Sequence, residues 1–183
     1  GVSPAAAARR LAAAEVRLTT LAGAPEELAG ALAAAGIRIG AEGPEEVVVD
    51  DYLDPAIEEI NRRHVADGTP WVRAKPSGTE VWLGPVFEPG TSACWACLAQ
   101  RIRGNRQVET YLAGKDGAVR WVPARAPLAA AGVQAAAGLL AAELGRLLVT
   151  GRPAALAGVL VTLDLHTFAG ERHAVVRQPQ CPV

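Results

Sequence analysis

A chain of 183 residues is long enough for one domain with a buried core; half of them are apolar, alanine foremost, and aromatics make up only 4%. A formal net charge of −1 gives no electrostatic footing for general nucleic-acid binding. Three cysteines do not make a secreted disulfide scaffold at this length, and Gly1-Val2-Ser3-Pro4 leads into an Ala/Arg helix rather than a secretion leader. With no methionine at all, the chain is expected to be a piece of a longer protein, or one from which a tag was removed, and is read as a single domain over residues 1–183.

Ser3-Pro4 is a good N-cap and first helical position, and the alanine-rich run to Ala13 follows as helix. Glu15 to Leu21 alternates polar and apolar residues and reads as a strand. Ala22-Gly23-Ala24-Pro25 turns the chain into a second helix, Glu26 to Ala35, closed by Gly36. Ile37 to Ile39 is a short strand. The β-branched run Glu46-Val47-Val48-Val49-Asp50 has the pattern of a strand buried on both faces. That order opens a doubly wound α/β layout. A nucleotide-binding version would carry a glycine-rich turn after the first strand. Leu21-Ala22-Gly23-Ala24-Pro25 has one glycine where the fingerprint has three, and a proline that removes a donor amide.

Asp54-Pro55 opens a helix bearing Ile57, Ile60, Asn61, His64 and Val65, with His64 expected on its solvated side. Two strands, Thr69 to Ala74 and Thr79 to Leu83, are joined so briefly that they must be antiparallel neighbours. A Pro/Gly loop from Gly84 to Gly90 leads to Ser92, a candidate N-cap for a helix that carries Cys94 and Cys97 and ends near Gly104. Arg101, Arg103 and Arg106 form a basic group at its far end, a candidate partner contact or a solvated face. Gly114 to Gly117 reads as an exposed turn. Pro127 to Val149 is the longest helix; Gln134, Glu143 and Arg146 interrupt it, and its alanines and glycines suit packing on a sheet or partner helix rather than a membrane span. A terminal hairpin, Val159 to Leu165 and Arg172 to Arg177, delivers Cys181 back to the body of the domain.

Cys94-Trp95-Ala96-Cys97 places two thiols where both can face one tetrahedral metal ion. Cys181 is the third candidate ligand. A terminal Cys-Pro-X-Cys knuckle would put a fourth thiol just beyond Val183. Structural zinc is the reading that uses all three thiols. Buried inert thiols and a helix-start redox pair stand beside it as alternatives, and the redox pair leaves Cys181 without a role.

These residues carry a resemblance. Val47-Val48-Val49-Asp50-Asp51-Tyr52, then Gly68-Thr69-Pro70-Trp71, Gly90-Thr91-Ser92-Ala93-Cys94-Trp95-Ala96-Cys97-Leu98, and the closing Gln178-Pro179-Gln180-Cys181-Pro182 resemble the ThiF/MoeB fold of ubiquitin-activating-type adenylating enzymes. Gly84-Pro85-Val86-Phe87 with the cysteine stretch, Arg101 and Asn105-Arg106 is similar to the ThiF-like domain of thiazole/oxazole-modified peptide (TOMM) cyclodehydratases of bacteriocin pathways. The resemblance implies a degenerate Rossmann-type α/β domain, a parallel sheet extended by antiparallel strands and stapled by structural zinc on Cys94, Cys97 and Cys181. It implies a partner or scaffold with no activity of its own, working in the bacterial cytoplasm and expected as a homodimer. ATP would enter only through a YcaO protein or fused domain, which cyclises Cys, Ser or Thr of a ribosomal precursor peptide. That peptide would be recognised by an N-terminal segment not present in these residues. The alternative is an active adenylating enzyme that activates a carboxylate; Asp50 and Asp51 stand where the family often has a magnesium-side acid, but without the glycine loop.

Overall fold

The computed structural model describes residues 1–21, 25–107, 111 and 129–183. The turn at 22–24, which holds the sparse glycine loop, lies outside the described residues, as do the Gly114–Gly117 turn and the start of the longest helix at Pro127.

Helix α1 (Pro4–Ala13) starts where expected, with the Ser3 hydroxyl accepting from the Ala6 amide at 3.3 Å. Strand β1 (Glu15–Thr20), helix α2 (Pro25–Ala34), β2 (Arg38–Ile39) and β3 (Glu45–Val48) follow, then α3 (Ala56–Asp67). Strands β4 (Trp71–Lys75) and β5 (Glu80–Phe87), helices α4 (Trp95–Asn105) and α5 (Ala129–Thr150), and the hairpin β6 (Val159–Asp164) and β7 (Gly170–Ala174) complete the described elements. The strands form a seven-stranded sheet in the order β2-β1-β3-β4-β5-β6-β7. Pairing is parallel from β2 to β4 and antiparallel from β4 to β7, so the sheet changes sense as the sequence pattern required.

All four residues of β3 are buried, because the strand lies between β1 and β4 with helices over both faces. Val48, Val72 and Ala74 point to a core shared with Leu28 and Leu32 of α2 and Leu140 and Leu144 of α5. Val47, Val49 and Trp71 point the other way, to a second core with Ile57, Trp95 and Leu98. The long helix is apolar and long enough to cross a membrane by composition alone. Its small residues instead let it lie close on the sheet: a Cβ on Gly132 would meet Leu165 Cδ1 at 2.9 Å and the Pro76 carbonyl at 3.1 Å.

Two expectations need correction. The Gly84-Pro85-Val86-Phe87 segment is not a loop but the second half of β5, which runs on to Phe87. Gly84 permits this, with φ at 77° and the Val159 carbonyl 2.9 Å from where a Cβ would stand. His64 is not solvated. It is 1% exposed and stacks on Trp71, and its Nε2 lies 2.6 Å from Glu45 Oε2 and its Nδ1 2.9 Å from the Thr69 carbonyl. Glu45 explains the burial: its carboxylate also accepts from Thr19 Oγ1 at 2.5 Å and pairs with Arg17 and Arg63. Burial alone would raise its pKa, but the hydrogen bonds from His64 and Thr19 and the charge of Arg63 outweigh it and hold it down to about 2.

Candidate metal centre

The metal-bearing stretch is set by three local devices. After β5, the Ser92 hydroxyl accepts from the Glu88 amide at 2.8 Å and donates to the Ala93 carbonyl at 2.9 Å, which closes the loop. Ser92 is therefore a loop staple, not the helix cap. The N-cap is Cys94, in an extended conformation with no side-chain cap bond, so its sulfur takes no part in capping. Capping passes to α3, whose Asn61 Oδ1 accepts from the Trp95 amide at 3.0 Å. Trp95 in turn donates from Nε1 to the Tyr52 carbonyl at 2.9 Å.

Cys97 comes one turn later, and its Sγ lies 3.8 Å from that of Cys94. Two thiolates on one tetrahedral zinc, each about 2.3 Å from it, stand about 3.8 Å apart. The terminal hairpin supplies the third sulfur. The Gln178 amide donates to Cys97 Sγ at 3.4 Å, a turn from Gln178 O to the Cys181 amide reverses the chain, and Cys181 Sγ arrives 3.3 Å from Cys94 Sγ. All three ligand atoms lie within 4.8 Å of one another and could hold a metal ion. The three residues the sequence singled out are thus brought together from segments more than eighty positions apart.

Electrostatics suits a cation. Burial, with the neighbouring thiols, pushes Cys94 up to about 12, so its thiol stays protonated until something compensates the charge. Burial also opposes ionisation of Cys97, but the Gln178 N–H and the adjacent sulfurs outweigh it and hold that thiol below its usual range. Binding a metal would release protons here. A cavity of 220 Å³ opens beside Cys94, floored by Trp71 and Phe87 and edged by Arg177.

The basic residues at the far end of α4 each reach a different neighbour. Arg101 donates to the Ala174 carbonyl at 3.4 Å and edges a 330 Å³ pocket with Trp82, Thr162 and His173. Arg103 lies over the Trp95 ring at 5.7 Å, and Arg106 pairs with Asp51 at 2.9 Å. Asp51 Oδ1 accepts from the Leu53 amide as well as from Arg106, so both bonds to this acid at the carboxyl end of the parallel strands fall on one oxygen. Sequence reading gave Asn61 no role, yet a signal was there. Ile57, Ile60, Asn61 and His64 follow helical spacing, and all four are buried, so the two polar members sit in the core register.

No family model and no curated protein matches the chain. Among solved structures, a heterocyclase in complex with substrate and cofactor superposes over 100% of the chain with a TM-score of 0.87 and 31% identity. The heterocyclase TruD does so with a TM-score of 0.88 and 36% identity. The chain spans 26% and 29% of those two proteins. MccB from E. coli, solved with ATP, matches 98% of the chain with a TM-score of 0.66 and 14% identity, a likeness of fold. The resemblance to the ThiF-like domain of peptide heterocyclases, with its Rossmann-type sheet extended by antiparallel strands, is borne out.

Proposed function

We propose that this chain is the ThiF-like scaffold domain of a bacteriocin-type peptide cyclodehydratase. In this reading it supports a YcaO protein or fused domain that spends ATP to cyclise Cys, Ser or Thr of a ribosomal precursor peptide. The observation that carries the reading is identity above 30% to two heterocyclases over the whole chain. Cys94, Cys97 and Cys181 hold a structural zinc ion, because three soft sulfurs at this spacing select it over harder cations. A further ligand completes the tetrahedron, and a reducing cytoplasm keeps the thiols available for it. ATP acts through the YcaO unit. The competing reading, an adenylating enzyme, is disfavoured by Asp51, whose carboxylate is already paired with Arg106.

Partner contacts fall on the exposed part of α4, where Arg101 and Arg103 are the candidates, with Arg106 holding the helix end to Asp51. Self-association uses the antiparallel half of the sheet or the outer side of α5, where Leu139 is 49% exposed. The test is reconstitution. The parent protein, its YcaO partner, precursor peptide and magnesium-ATP should give loss of one water mass per ring, and deleting residues 1–183 should abolish it. Magnesium-dependent ATP binding to this domain alone, seen by calorimetry, would instead favour the adenylating enzyme.

A further inference from the structure

The three sulfurs are unequal in a way that matters when no metal is bound. Cys94 Sγ lies 3.3 Å from Cys181 Sγ and 3.8 Å from Cys97 Sγ, and Cys94 and Cys181 are both partly exposed. Cys97 is wholly buried, and its sulfur accepts the Gln178 amide. We infer that Cys94 and Cys181 are a specific oxidation site, joined as a disulfide by peroxide when the metal is absent, while Cys97 stays a thiol. This goes beyond the zinc reading and uses the same residues; the disulfide itself does not depend on zinc.

The chemistry balances with hydrogen peroxide as the two-electron oxidant. The Cys181 sulfur attacks one peroxide oxygen; an S–O bond forms, the O–O bond breaks, and the departing hydroxide takes the thiol proton as water. The Cys94 sulfur then attacks the sulfenic sulfur of Cys181. The S–S bond forms, the S–O bond breaks, and hydroxide leaves with the Cys94 proton as a second water. Peroxide is reduced and two thiols are oxidised. A disulfide needs its sulfurs at about 2.05 Å. For Cys94, the partner at 3.3 Å has less far to travel than the one at 3.8 Å, and Cys181 lies outside helix and strand whereas Cys97 is fixed within α4. The product fastens the C-terminal segment to the start of α4, the junction the metal would otherwise hold. Metal and disulfide are therefore alternative staples, and oxidation of one state excludes the other.

The test uses the 183-residue chain, stripped of metal with a chelator that is then removed, and treated with one equivalent of hydrogen peroxide. Free thiols are alkylated under denaturing conditions and the protein is digested with chymotrypsin, which separates Cys94 from Cys97 at Trp95. Mass spectrometry should find Cys94 linked to Cys181 and the alkyl label on Cys97. Cys97→Ser should keep the link with a rate within about twofold of the parent, and Cys94→Ser should abolish it and leave Cys181 as a sulfenic acid that dimedone traps. A link from Cys97 to either Cys94 or Cys181, an intermolecular dimer, or three alkylated thiols would overturn the proposal. Preloading with zinc should slow oxidation at least tenfold. If zinc gives no protection while the Cys94–Cys181 link still forms, the zinc reading fails and this inference stands.

Discussion

The indole Nε1 of Trp95 donates to the main-chain carbonyl of Tyr52 across 2.9 Å, tying the first turn of the metal-bearing helix to the loop that follows β3. The Tyr52 hydroxyl reaches the Gly84 carbonyl at 2.8 Å, and Arg73 donates to the same Tyr52 carbonyl while its guanidinium lies over the Tyr52 ring. The cysteine pair is therefore mounted on the end of the parallel sheet as well as on its own helix.

Asn61 is the cap in this arrangement. Replacing it with alanine leaves the buried Trp95 amide without an acceptor and should cost about 1–2 kcal/mol in urea unfolding. Asn61→Asp keeps an acceptor oxygen and should recover most of that loss. Equal losses for both variants would contradict the capping role.

Cys97→Ser removes the ligand that is wholly buried and that also anchors Gln178. Zinc content measured by mass spectrometry should fall, the melting temperature of zinc-treated protein should drop, and hydrogen exchange in β7 and residues 175–183 should speed up. No catalytic step should change except through stability. Full zinc content with an unchanged melting temperature would defeat the staple.

Much of this was legible because backbone signals and core pattern agree. Ser3-Pro4 begins a helix, the valine run Val47–Val49 is buried, and the short Lys75–Glu80 connection forces an antiparallel pair. The Cys-x-x-Cys spacing identified two thiols, and the terminal hairpin made Cys181 the third. What escaped was tertiary. His64 looked like a surface residue on a charged helix, and only its approach to Glu45, nineteen positions away, makes burial favourable. Gly84-Pro85 looked like a break, yet neighbouring main chain at Val159 calls for a glycine within a strand. The three arginines are near in sequence, yet Arg101 and Arg103 on α4 and Arg106 at its C-cap each contact a different neighbour.

Glu45 gives an acid limb to stability. Its folded pKa of about 2 lies below the ordinary value of 4.5, so its contribution is present above about pH 4.5 and is lost as pH falls toward 2. Glu45→Gln leaves His64, Arg17 and Arg63 facing a neutral amide and should cost of order 3 kcal/mol at pH 7. The difference from the parent should shrink as the pH of the urea titration is lowered below 4. A difference independent of pH would show that packing, not charge, was lost.

Its neighbour Glu46 has the opposite sign. It points to the other face of the sheet, is 1% exposed, and its Oε1 has no hydrogen-bond partner among the described residues. Burial pushes its pKa up to about 8. Between about pH 4.5 and 8 the unfolded chain gives up this proton while the folded chain keeps it, so stability falls as pH rises across that interval and levels off above it. Glu46→Gln removes the titration while keeping the shape. It should match the parent near pH 4 and exceed it by about 1–3 kcal/mol at pH 8, read from urea midpoints at the two values. If the glutamine variant were the weaker protein at pH 8, Glu46 would have to be ionised and partnered in the folded state, and the unpartnered Oε1 described above would be wrong.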